Sequence, residues 1–143
     1  ADNTARLLDV KYHLLLPRDE PVGGSLDYFQ WTTILRTVSA LTAYRHVYFD
    51  SVKPWLVADL LILNTQMPRS LAACANNAVR YLDQLAQASG RRGPAHRQAV
   101  RIANRVGQAD INGIFKSGLH EEIQDFLREN NKLGALIAEQ YLF

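Results

Sequence analysis

Apolar residues recur at helical spacing from the first line of this sequence to the last, and no stretch alternates apolar and polar residues as a half-buried strand does. That pattern confines the chain to an all-α fold. The opening run, Ala1 to Val10, is already helical in pattern at residue 1, with no initiator Met, signal peptide or capping residue before it. It is therefore expected to be a fragment of a longer chain, cut inside or just before a helix. The 143 residues suit one domain, 1–143, whose single core would bury roughly two-thirds of the surface exposed by the unfolded chain.

Proline, glycine and small polar residues punctuate the helices. The first is expected to run to Leu16, where Pro17 stops it, and Pro17, Pro21, Gly23 and Gly24 form a loop. Ser25 or Asp27 caps the second, and Ser39 caps a shorter one. Ser51 with Pro54 opens a helix from Trp55 to Asn64, and Pro68 with Ser70 opens the next, which ends at Gly90. Pro94 opens a basic helix to about Val106, Asp110 a short one, and Ser117 a long final one.

Composition excludes several classes. A formal net charge of +2 gives no general field for nucleic acid or a membrane surface. The longest apolar stretch, Trp55 to Leu63, carries Asp59 and is far short of the ~20 residues of a bilayer span. One cysteine, Cys74, leaves no internal disulfide and no multi-cysteine zinc site, which fits a reducing compartment, the cytoplasm.

The first helix carries an unusual stripe. Asp2, Arg6, Asp9 and His13 fall within about 60° of one another on a helical wheel, because spacings of four, three and four return to one face. Apolar residues cover most of the remaining circumference, so other helices should enclose this one on several sides. The stripe either faces solvent, where an ion pair contributes about 0.3–0.5 kcal/mol, or meets a partner helix, where Arg6 has to be paired.

The run Ala1-Asp2-Asn3-Thr4-Ala5-Arg6-Leu7-Leu8-Asp9 resembles the signature of the alpha-E domain family, helical proteins named for a Glu-Arg pair. The segments Val22 to Trp31, Lys53 to Asn64, Met67 to Leu71 and Ala138 to Phe143 are similar to the same family. The likeness is to the C-terminal half of a domain about twice this length, which would put the Glu-Arg pair immediately before Ala1. It implies an accessory role beside ATP-grasp-type ligases and transglutaminase-like proteases that make or modify peptides. It carries over only the neighbours of that pair, Asp2, Asn3, Arg6 and Asp9, as binding residues.

Two other features call for chemistry or for a partner. Asp59 is the lone acid in an otherwise apolar helix, so it either reaches the surface or a structural Arg, or serves as a cavity acid in a polar network. Arg91, Arg92, Arg97, Arg101 and Arg105 form a basic stretch with no acid from 91 to 105, and the last three share a helix face. Such a face is either solvated or offers planar forks to phosphates, an acidic peptide or an acidic protein. No aromatic residue is interleaved there to stack on nucleic-acid bases. The four histidines make no metal or catalytic set, and His120, beside Glu121 and Glu122, is expected at the surface.

These readings converge on an array of about six helices, half of a larger alpha-E-like domain. It would act as a binding or scaffold module with no cofactor, metal or catalytic residue. Its expected partners are the other half of the domain or a second copy, and an ATP-grasp-type ligase, but neither nucleic acid nor membrane. The alternative is a component of a peptide-modifying or amide-forming enzyme whose polar site lies around Arg6 and Asp59. Convergence of Asp2, Arg6, Asp9 and Asp59 on one cavity would favour chemistry, and scatter would favour interaction.

Overall fold

The computed structural model describes residues 1–12 and 24–141; the expectations for His13, the stop at Pro17 and the loop to Gly23 lie outside the described residues. Among the described residues eight α-helices follow one another: α1 (Asp2–Val10), α2 (Ser25–Thr37), α3 (Leu41–Tyr48), α4 (Pro54–Ala58), α5 (Leu71–Ser89), α6 (Pro94–Gln108), α7 (Ile111–Ser117) and α8 (Leu119–Tyr141). A π-helical turn, Asp59–Leu63, continues α4 without a break. The chain is all-α, and no strand occurs among the described residues. The count is near the expected array of about six, and α3, α4 and α7 are each no longer than eight residues.

Most boundaries sit where the local chemistry requires. The Ser70 hydroxyl accepts from the Ala73 amide at 3.0 Å and donates to the Asn64 carbonyl at 2.5 Å, so one buried side chain caps α5 and ties it to the preceding turn. Gly90, at φ 70°, ends α5 in the left-handed conformation, Pro94 starts α6, and the Asp110 carboxylate caps α7 through the Gly113 amide at 2.6 Å. Three expected caps are absent. Gly24, Ala40 and Lys53 stand at the N-caps in place of Ser25 or Asp27, Ser39 and Ser51, and Ser39 instead takes a left-handed φ of 58° between α2 and α3. Ser117 ends α7, and Gly118, at φ 104°, turns the chain into α8.

A single apolar core unites the helices. The apolar edge of α5 packs on α6, α6 packs on α8, and α1 lies against the first half of α8. The π-turn drives Leu60, Leu61 and Ile62 into this core against α5 and α6, each buried leucine contributing about 1.5–3 kcal/mol. The expectation of a helix buried on all sides from Trp55 to Leu63 needs correction. Trp55 is half exposed, because two residues of helix place it on the side of α4 opposite the buried Val57, and its ring meets the Lys53 ammonium 5.7 Å away.

A buried ion pair that no sequence pattern signals joins the end of α1 to α2. Lys11 follows α1, and its Nζ donates to Asp27 Oδ1 at 2.5 Å, with the two side chains only 2% and 5% exposed. The same ammonium lies 5.1 Å from the centroid of the Trp31 ring, one helical turn beyond Asp27. Desolvation of two charges nearly cancels their attraction, so such a pair adds little net stability but penalises any arrangement that separates them. Lys11→Met should therefore destabilise the protein by about 3–5 kcal/mol in urea unfolding, because Asp27 loses its buried counter-charge. Lys11→Met combined with Asp27→Leu should recover most of that loss, and a double variant as unstable as the sum of both single changes would refute this account.

Candidate functional site

The site assembles on α6. Its inward face places Ala95, Ala99, Ile102 and Val106 in the core, while Arg97, Arg101 and Arg105, four residues apart, form one outward edge. All three arginines border an open groove that continues past Asn104 and Gln108 to Glu122 of α8. Beneath Arg101 and Arg105 the groove meets a partly enclosed cavity of about 180 Å³ with an apolar floor that includes Ile62, Ile102, Ile114, Ile123 and Phe126. The cavity mouth is charged, with Arg101 and Arg105 on α6 and Glu122 and Glu129 on α8.

Gln98, only 2% exposed, fastens this mouth. Its amide nitrogen donates to the Glu129 carboxylate at 2.6 Å and to the Glu129 carbonyl at 3.1 Å, and its amide oxygen accepts from Arg101 at 3.4 Å. Arg105 reaches Asp125 at 3.1 Å and Glu122 at 3.4 Å, and Asp125 also pairs with Arg128. Both carboxylates of the mouth are thus held by structural partners. Neither Arg97 nor Arg101 has a carboxylate partner among the described residues.

The other sequence-predicted residues do not converge. Asp2 and Arg6 pair with each other at 2.9 Å on the exposed side of α1, and Asn3 is exposed beside them. Asp9 turns away to α8, where its carboxylate meets His120 Nδ1 at 2.5 Å and accepts from Gln124 at 3.1 Å. The described part of the expected stripe is therefore divided, and His120 is half-buried rather than at the surface. Asp59 accepts from the Tyr48 hydroxyl at 2.5 Å, a structural partner other than the arginine expected. Arg91 is exposed ahead of α6, and Arg92 reaches Asp83 at 3.6 Å, so only three of the five basic residues share the groove. His96 is buried against that same Asp83 at 2.5 Å.

A family model for a predicted alpha-helical domain with a conserved ER motif matches residues 1–142. The chain belongs to the Alpha-E family. No curated protein and no solved structure matches it. The Alpha-E match runs over essentially the whole chain, so the expected restriction to a C-terminal half is not borne out. No Glu-Arg dipeptide occurs within residues 1–143. Among the described residues, no helix of this Alpha-E chain is long and apolar enough to cross a membrane, and no three metal-ligating side chains cluster.

In this Alpha-E chain the Tyr48–Asp59 bond makes alkaline pH informative. Burial raises the Tyr48 pKa well above its ordinary value, and the hydrogen bond and charge of Asp59 raise it further. Because the folded value exceeds the unfolded value of about 10, this group stabilises the fold below pH ~10 and loses that contribution as pH rises beyond it. The urea midpoint of the wild type should fall more steeply above pH ~10 than that of Tyr48→Phe. Parallel pH profiles for the two proteins would refute the assignment.

Proposed function

We propose that this Alpha-E chain is a non-catalytic helical binding module, accessory to a peptide-ligating enzyme of the ATP-grasp type or to a transglutaminase-like protease. The observation that carries this reading is the joint placement of a recessed apolar cavity and an arginine-edged groove between α6 and α8. A recess of about 180 Å³ is comparable to the roughly 150 Å³ apolar cavity that takes up benzene, so it has room for an apolar ligand group. Its carboxylates are engaged by Gln98 and Arg105, an arrangement suited to shaping a pocket rather than to moving protons. The alternative enzyme joins Arg6 and Asp59 in one polar site, and the separate partners of these two residues weigh against it.

The enzyme partner would dock on the end formed by α2, α3 and α4. Large apolar side chains are exposed there, with Phe49 at 86% and Phe29 at 60%, and Tyr28, Val47 and Trp55 each about half exposed. Phe49 holds a left-handed φ of 50° at the end of α3, a conformation that a bulky side chain adopts at a cost. The reading sets the module in the cytoplasm, in keeping with its single cysteine. Coexpression with an ATP-grasp-type ligase from the same genome should yield a complex that survives gel filtration, and Phe49→Asp should disrupt the complex while leaving the helical circular dichroism unchanged. Separate elution of the wild-type proteins would contradict the accessory role.

A further inference from the structure

The geometry points to a short, extended acidic peptide with one apolar anchor side chain as the occupant of the α6–α8 site, an inference that rests on the binding-module reading and gives it a substrate class. Three features of the site carry it. The row from Arg97 to Arg105 rises by eight residue steps of helix, or about 12 Å, which is the length of about four residues of extended chain. Three guanidiniums and one carboxylate, Glu122, border the groove, so its charge favours an anionic ligand. Arg97 and Arg101 have no carboxylate partner among the described residues, so their planar forks can take two carboxylates of such a chain without first breaking an ion pair. At one end of the row the cavity, at about 180 Å³, has room for a leucine or phenylalanine side chain, and its floor of isoleucines and Phe126 is apolar.

The two parts of the site also explain one another. A phosphate or a free dicarboxylate would use the arginine row and leave the cavity empty. A purely apolar ligand would fill the cavity but pass beneath the arginines. Only a ligand with an anchor and a charged continuation uses both, and Gln98 sets their spacing by holding Arg101 and Glu129 on either side of the mouth. Of the sources for such a ligand, the backbone of an extended peptide supplies the regular charge spacing that the row demands.

Fluorescence anisotropy on the full chain tests this with a labelled Leu-Gly-Glu-Gly-Glu peptide, whose leucine and two carboxylates share one face of the extended chain. The peptide should bind saturably, and replacing its leucine by alanine, or its glutamates by glutamines, should each weaken binding at least about tenfold. Arg101→Glu should cause a similar loss, whereas Arg91→Glu, outside the groove, should change the affinity less than about twofold. Arg101 is exposed, so its variant should keep the wild-type circular dichroism, and competing inorganic phosphate should displace the peptide only weakly. No binding, binding indifferent to the leucine, full displacement by phosphate, or an Arg101→Glu variant that binds like the wild type would each overturn the proposal. If the ligase complex forms but the peptide does not bind, the peptide assignment fails while the accessory role stands; if neither forms, both fail.

Discussion

The seam between α6 and α8 is the constraint on which the rest of this architecture depends. Along it, Ala95, Ala99, Ile102 and Val106 face Ile123, Phe126 and Leu127 across the core, and the buried Gln98 crosses to Glu129. The cavity opens on this seam, lined by Ile102 and Val106 of α6 and by Ile123 and Phe126 of α8. Because the outward edge of α6 carries the arginines, the packing that shapes the recess also fixes where the guanidiniums stand.

Charge is handled in two ways in this protein. At the surface, Asp2 with Arg6 and Asp50 with Lys53 form exposed local pairs that contribute little, although the Lys53 bond holds the Asp50 carboxyl below its ordinary pKa. In the interior and at helix contacts, Lys11 with Asp27, His120 with Asp9 and Tyr48 with Asp59 join elements distant in sequence. These inner contacts set the register of α1 on α2 and α8 and of α3 on the π-turn. A charged group left without its partner there costs far more than the pair contributes, so their role is specificity of arrangement.

Much of the fold was legible in the residues. Ser70, Gly90, Pro94 and Asp110 mark helix ends by local chemistry that needs no tertiary information, and the four-residue spacing of Arg97, Arg101 and Arg105 fixes their common edge. What stayed hidden depends on contacts between distant residues. Asp27 looks like a cap because it stands in the first turn of a helix, and only the approach of Lys11 shows its role. The Asp9–His120 contact spans 111 positions, so periodicity placed the two residues on helix faces without showing that those faces meet. The cavity was illegible for the same reason, since its floor draws one residue or more from the π-turn, α6, α7 and α8.

The central claim is that this apolar recess is preformed under the arginine row. Methyl-resolved NMR under xenon pressure tests it most directly, because xenon enters dry apolar cavities of this size without needing charge. The account predicts saturable shifts at the methyl groups that line the recess, those of Ile62, Leu71, Ile102, Val106, Ile114 and Ile123, with those of Leu35 and Leu8 elsewhere in the core unmoved. Uniform small shifts across all core methyl groups, or none at the four isoleucines, would contradict it.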